Sequence, residues 1–127
     1  MTQNRPVNIN LLKIKLPLSA FLSITHRISG ILIFFIVLPV SVFIFSELTQ
    51  SQGSYNNFVI MYHKNLGIKF GCVSLILIFQ YHIFTGVRHI LMDFHILNES
   101  LSSSYKSAVT TLVLFAVNAL LTLWVML

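Results

Sequence analysis

Two short runs in this chain place side chains that can hold or move charge inside otherwise apolar sequence. In Tyr81-His82-Ile83-Phe84-Thr85-Gly86-Val87-Arg88-His89-Ile90-Leu91-Met92-Asp93, His82, Gly86, His89 and Asp93 recur at i, i+4, i+7 and i+11, one face of a helix. His82 lies within the uncharged run from Phe70 to Val87 and six residues inward of Arg88, about 9 Å deeper along a helix axis. An imidazole at such depth is costly without a partner, and an ionisable group inside an apolar span is a functional candidate by default. Two readings fit His82 about equally: a neutral ring hydrogen-bonded to a carbonyl or hydroxyl of a neighbouring helix, and a ligand to a metal or haem iron. Gly86, one turn away, leaves room for a flat macrocycle or for a close-packed helix.

The second run is Ser23-Ile24-Thr25-His26-Arg27-Ile28-Ser29-Gly30. Ser23, His26, Arg27 and Gly30 share a helix face at i, i+3, i+4 and i+7. Serine, histidine and arginine together offer donors to an anionic or carbonyl ligand. A propionate, a phosphate and a quinone carbonyl all qualify, and spacing does not choose among them. Taken singly, Arg27 and Arg88 read as bases that snorkel at helix ends. His89 reads as an interfacial hydrogen-bonding group, Asp93 as a partner for Arg88 or His89, and His63 and His95 as solvated. The single Cys72 reads as a packed thiol. No Cys-x-x-Cys, glycine-rich phosphate loop, paired carboxylates within a span or serine-nucleophile motif appears, so soluble chemistries of those kinds are excluded.

The elements that must position these residues follow from composition. The chain has 127 residues, 56% hydrophobic and 9% charged, with a mean hydropathy of +0.85, whereas a soluble domain carries about 25% charged residues. One small core cannot hide that much apolar surface, so lipid is part of the solvent. The expected fold is all-α and integral to the membrane, a single anchor domain over 1–127 with three transmembrane helices at about 21–47, 66–91 and 107–127. In the first span, Ile28 to Ser46 is an uncharged run of 19 residues, enough to cross a hydrocarbon core of about 30 Å. Pro17 suits the start of that helix, and Pro39 should kink it, which a membrane helix tolerates. Between the first two spans, Tyr55 to His63 is a candidate interfacial helix. Asp93 to Lys106 reads as the second loop. Met1 to Ser19 lacks the apolar core of a cleavable signal peptide, so the first span is expected to serve as its own insertion signal.

The net charge of +5 does not point to nucleic acid, because the bases sit at the edges of apolar runs. Arg5, Lys13, Lys15, Arg27, Arg88 and Lys106 fall on one side, against Lys64 and Lys69 on the other. The positive-inside rule then puts the N-terminus and second loop in the cytoplasm. Both polar runs are thereby expected at the cytoplasmic ends of their spans, at one depth, where they could meet.

Arg5-Pro6-Val7-Asn8, Pro17-Leu18-Ser19-Ala20, the run Ser23 to Gly30, and His82-x-x-x-Gly86-x-Arg88-His89-x-x-x-Asp93 carry a resemblance. Together they make the chain similar, over nearly its whole length, to the cytochrome b556 subunits of bacterial succinate dehydrogenase. The resemblance implies a multi-pass anchor of respiratory complex II in the bacterial inner membrane. It implies pairing with a second small membrane anchor subunit, which together hold a flavoprotein subunit and an iron–sulfur subunit. Electrons would pass from the iron–sulfur subunit to ubiquinone. Position by position, His82 matches the axial ligand of haem b, so its metal would be the haem iron, and His26 matches a residue near the haem propionates. Ser23 and Arg27 match residues of the ubiquinone site. The second axial ligand would come from the partner anchor, so this chain would supply half of a haem site, and succinate oxidation would belong to the soluble partners. The competing expectations are a haem-less structural anchor in which His82 only packs, and an unrelated small membrane protein such as an assembly factor or transporter subunit. The paired motifs argue against the last.

Overall fold

Pro17 starts the first helix by conformation. Its backbone is extended, at φ −62° and ψ 150°, and its carbonyl accepts the N–H groups of Ala20 and Phe21 at 3.0 and 3.1 Å. In the computed structural model, which describes residues 16–97 and 100–127, α1 then runs over Leu18–Leu32 and passes through a π-helical turn, Ile33–Val37, into α2, Leu38–Gln50. The whole is one rod of 33 residues. The π-turn falls just before Pro39, and within it the Leu38 N–H reaches back to the Ile33 carbonyl. A proline has no N–H to donate, and its ring collides with the carbonyl four residues earlier. Widening the preceding turn relieves that collision, so the expected irregularity takes the form of a π-turn.

Helix α3 spans Gln52–Lys64 and α4 spans Leu66–Asp93. The single residue between them, Asn65, ends one and begins the other: its side chain accepts from Gly67 N at 2.8 Å and Ile68 N at 3.3 Å, satisfying donors at the new N-terminus. The helix expected at Tyr55 to His63 is thus present and longer. It is tied to the far end of the chain by Tyr62, whose hydroxyl donates to the Met126 carbonyl at 2.9 Å. At the other end α4 closes with His95 in the left-handed region, φ 56°. There His95 N bonds Met92 O and Ile96 N bonds Leu91 O, the paired bonds of a Schellman termination.

Helix α5, Leu101–Met126, begins earlier than the polar composition of 93–106 implies. Ser100 caps it by accepting from Ser103 N at 3.3 Å, and the serines expected in a loop form its first turns. Their helical placement has a tertiary cause. Arg88, 3% exposed, donates from Nε to Ser107 Oγ at 3.1 Å and from Nη2 to the carbonyl and hydroxyl of Ser104, both at 3.2 Å.

Helix α4 lies between α1 and α5. Toward α5 it presents Gln80, bonded to Thr122 Oγ1 at 2.8 Å, and Tyr81 and Phe84, both edge-on to Phe115. Toward α1 it presents histidines and a glycine. Among the buried side chains, Ser29, Thr85, Ser104, Ala108 and Thr111 are small or hydroxylated and Arg88 is charged, beside the apolar Leu22, Val37 and Val73, while phenylalanines such as Phe34, Phe35, Phe43 and Phe45 face outward. That inversion of the soluble pattern is what lipid selects: small and hydroxylated residues between helices, large apolar ones outside. The leading rod, α4 and α5 are all long and apolar enough to cross a membrane, and among the described residues there is no strand. The Arg5-Pro6-Val7-Asn8 motif, the bases Lys13 and Lys15, and Asn98 and Glu99 lie outside the described residues.

Candidate functional site

The α1–α4 contact is built from two glycines and two imidazoles in reciprocal order. A Cβ at Gly30 would stand 3.2 Å from His82 Cε1, and a Cβ at Gly86 would stand 3.1 Å from His26 Nε2. Each glycine therefore makes the space that the opposite ring fills. The pairing rises along one helix as it falls along the other, so the two helices are antiparallel and the polar runs meet at one depth. His26 and His82 stack with centroids 4.2 Å apart and planes 12° from parallel, and His89 leans on His26 at 5.0 Å and 49°. Of the two groups that Gly86 could admit, the structure shows the second: a neighbouring helix, with an imidazole as its knob.

Hydroxyls lock this contact. Ser29, 5% exposed, is bonded through Oγ to the His26 carbonyl at 2.7 Å and to His82 Nδ1 at 2.9 Å. One turn earlier, Thr25 Oγ1 is hydrogen-bonded to the Tyr81 hydroxyl across the same pair of helices. Arg27 and Asp93, the last residue of α4, are exposed and both lie within electrostatic reach of the His89 ring. Ser23 is half-buried, a turn before Arg27 and on the same side of α1. The structure thus gathers His26, His82 and His89, brings Arg27 within electrostatic reach of His89, and leaves Ser23 a turn beyond the ring contacts.

Arg88 does not join them. Adjacent helix positions point about 100° apart, so with His89 directed at α1, Arg88 is turned to α5 and spends its donors on Ser104 and Ser107. The expectation that it snorkels to headgroups, or pairs with Asp93, is corrected by that burial. The histidine contact is not the only concave region. A cleft of about 520 Å³ is formed by α2, α3 and α4 around Phe43, Glu47, Phe58 and Cys72, at the other end of the bundle from the histidines. It is concave but carries little polar chemistry, so the histidine contact is the better candidate.

Residues 1–124 match the family model described as the succinate dehydrogenase/fumarate reductase transmembrane subunit. The chain belongs to that family. It is 34% identical over 93 residues to the succinate dehydrogenase cytochrome b556 subunit of Coxiella burnetii, covering 73% of this chain and 74% of that one. It is 33% identical over 112 residues to the succinate dehydrogenase cytochrome b560 subunit of Porphyra purpurea, covering 87% and 88%. The b560 subunit of Reclinomonas americana is 36% identical over 102 residues, covering 73% of this chain and 67% of its own. Within the succinate dehydrogenase/fumarate reductase transmembrane family, then, the chain is a succinate dehydrogenase cytochrome b subunit, a transmembrane anchor that works in a complex with other subunits.

In that anchor the residue least visible from sequence is Ser29. It lies within the motif, three positions after His26, where a hydroxyl ordinarily bonds back to its own helix. Only the register of α1 against α4 reveals that the same oxygen meets His82.

Proposed function

We propose that this subunit holds one side of a haem b through His82 and lends Ser23 and Arg27 to a ubiquinone site beside it. In this reading electrons from an iron–sulfur subunit reach the quinone in the membrane. The observation that carries the reading is the state of the His82 ring. Ser29 engages Nδ1, the Gly30 cradle fixes the Cε1 edge, and His26 covers a face. Metal ligation uses the in-plane lone pair of a ring nitrogen, and stacking on the face does not obstruct it. The donor set fits as well. Among the described residues no three His, Cys, Asp or Glu side chains are grouped to hold a bare ion, whereas a haem brings its own equatorial donors and asks a chain for a single axial one.

Bound haem b would supply a one-electron carrier. His26 and Arg27 would face its propionates, at the water-side end of α1, with charge-assisted hydrogen bonds. Ser23 and Arg27 would donate to a quinone carbonyl, whose oxygen gains negative charge on reduction, and donors already in place stabilise that charge without reorganisation. The relatives from Coxiella burnetii and Porphyra purpurea bear cytochrome b names, which supports haem in this family. The partners we infer are a second small anchor carrying the other axial ligand, an iron–sulfur subunit and a flavoprotein, with the N-terminus on the cytoplasmic face of a bacterial inner membrane.

The reading is tested on the purified complex by dithionite-reduced minus oxidised spectra. Wild type should show a b-type signal and His82→Ala should lose it. Absence of the signal in wild type would leave a haem-less structural anchor, and persistence in His82→Ala would move the ligand elsewhere. Ser23→Ala and Arg27→Ala should each cut quinone reduction by at least tenfold, the cost of losing roughly 1.4 kcal/mol of stabilisation, while succinate oxidation with a soluble artificial acceptor persists. Unimpaired quinone reduction in both would remove these residues from the site.

A further inference from the structure

The reading above uses Ser29 only as a neighbour of the His82 ring, yet its hydroxyl joins the two histidines. Ser29 is 5% exposed, and its Oγ stands 2.7 Å from the His26 carbonyl and 2.9 Å from His82 Nδ1. A serine hydroxyl has one proton to give and lone pairs to receive with. The His26 carbonyl can only accept, so the proton goes there. The oxygen is left to accept, and His82 Nδ1 must be the donor. In a neutral imidazole that leaves Nε2 as the bare nitrogen.

We propose that Ser29 is a positioning residue for haem ligation. Its hydroxyl, anchored on the His26 carbonyl, accepts the Nδ1–H of His82 and holds the ring in the tautomer and orientation that offer Nε2 to iron. The proposal rests on the haem reading and deepens it. A metal-binding histidine ordinarily passes its other N–H to an acceptor that fixes the ring and raises its basicity, and within an apolar span such a hydrogen bond is strengthened by the low local dielectric. Gly30 makes the arrangement possible, because a Cβ on the residue after Ser29 would stand only 3.2 Å from His82 Cε1 and crowd the ring. The accepted proton leaves more electron density on the imidazole, which favours ferric over ferrous iron. Removing the acceptor should therefore raise the haem potential and loosen the ring.

The experiment uses the intact complex carrying wild-type subunit, Ser29→Ala, Ser29→Cys or Ser29→Thr. The readouts are the midpoint potential of the b-type haem, from spectroscopic redox titration, and the low-spin g-values of the ferric form. Ser29→Ala and Ser29→Cys should retain haem with an upward shift in potential and altered g-anisotropy. Ser29→Thr should return both toward wild type, because a threonine hydroxyl can make the same back-bond to its helix. Cysteine, close to serine in volume but a weak acceptor, carries the comparison if the alanine complex fails to assemble. Wild-type potential and g-values in Ser29→Ala and Ser29→Cys overturn the proposal. So does an equal displacement in all three variants, which would make Ser29 a packing position only. A haem lost in His82→Ala but indifferent to Ser29 removes this role alone, whereas a wild-type complex without a b-type signal sinks the haem reading beneath it.

Discussion

Gly30 and Gly86 set how closely α1 approaches α4, and the tolerance can be read off the distances. With Cβ positions 3.2 and 3.1 Å from opposing imidazole atoms, Gly30→Val or Gly86→Val forces the rings aside, an overpacking cost of about 1–3 kcal/mol. Either should lower the thermal unfolding temperature of the purified complex. Gly71, whose Cβ would meet nothing within 4 Å, is the control: Gly71→Ala should not lower that temperature, and the helix propensity of alanine favours a gain of up to about 1 kcal/mol. Arg88 makes the opposite case, a position where charge is kept but shape is not. Its planar fork reaches Ser107 and both acceptors of Ser104 at once, and a lysine ammonium cannot reproduce that geometry. Arg88→Lys should destabilise the complex by about 1.5–3 kcal/mol, the worth of one hydrogen bond to a charged group. An unchanged unfolding temperature would mean that the α4–α5 contact does not depend on these hydrogen bonds.

Among the elements, the leading rod is the one with an internal irregularity. If Pro39 alone causes the π-turn at Ile33–Val37, Pro39→Ala supplies the missing N–H and removes the ring, and the turn should relax toward ordinary α geometry. Hydrogen exchange of the amides at 35–40 should then slow. Unaltered exchange would instead assign the π-turn to packing around Val37, which is buried. The elements also show where composition misleads. Ser102, Ser103 and Ser104 sit in a stretch that reads as a loop, since serines favour turns and caps. The stretch is helical because Ser100 caps it and because a buried guanidinium on α4 needs acceptors at Ser104 and Ser107. The cap is a local signal, but the guanidinium's demand for acceptors is not written in that stretch.

For the whole molecule, the distribution of bases predicts an orientation. In a Cys72→Ser background, a membrane-impermeant maleimide added to right-side-out vesicles should label Gln52→Cys, at the start of α3, and spare Ser102→Cys, in the first turn of α5. The reverse pattern would invert the topology and put the histidine contact at the outer face. Much of the architecture is settled by the chain itself. Long uncharged runs in a sequence with 9% charged residues leave lipid as the only solvent able to host them, so three spanning helices follow from transfer energetics without any packing. The polar runs at Ser23 to Gly30 and His82 to Asp93 are legible for the same reason: an ionisable group in an apolar span stands out against its neighbours. What a linear pattern cannot hold is the rotation and register of one helix against another. Those quantities decide that His26 fills the space at Gly86, that His82 fills the space at Gly30 and turns Nδ1 to Ser29, and that Arg88 turns to α5, one residue away from a histidine facing α1. A helix presents a new face every 100° or so, and which face meets which is chosen by close packing between small residues, a property of the folded pair that neither segment specifies alone.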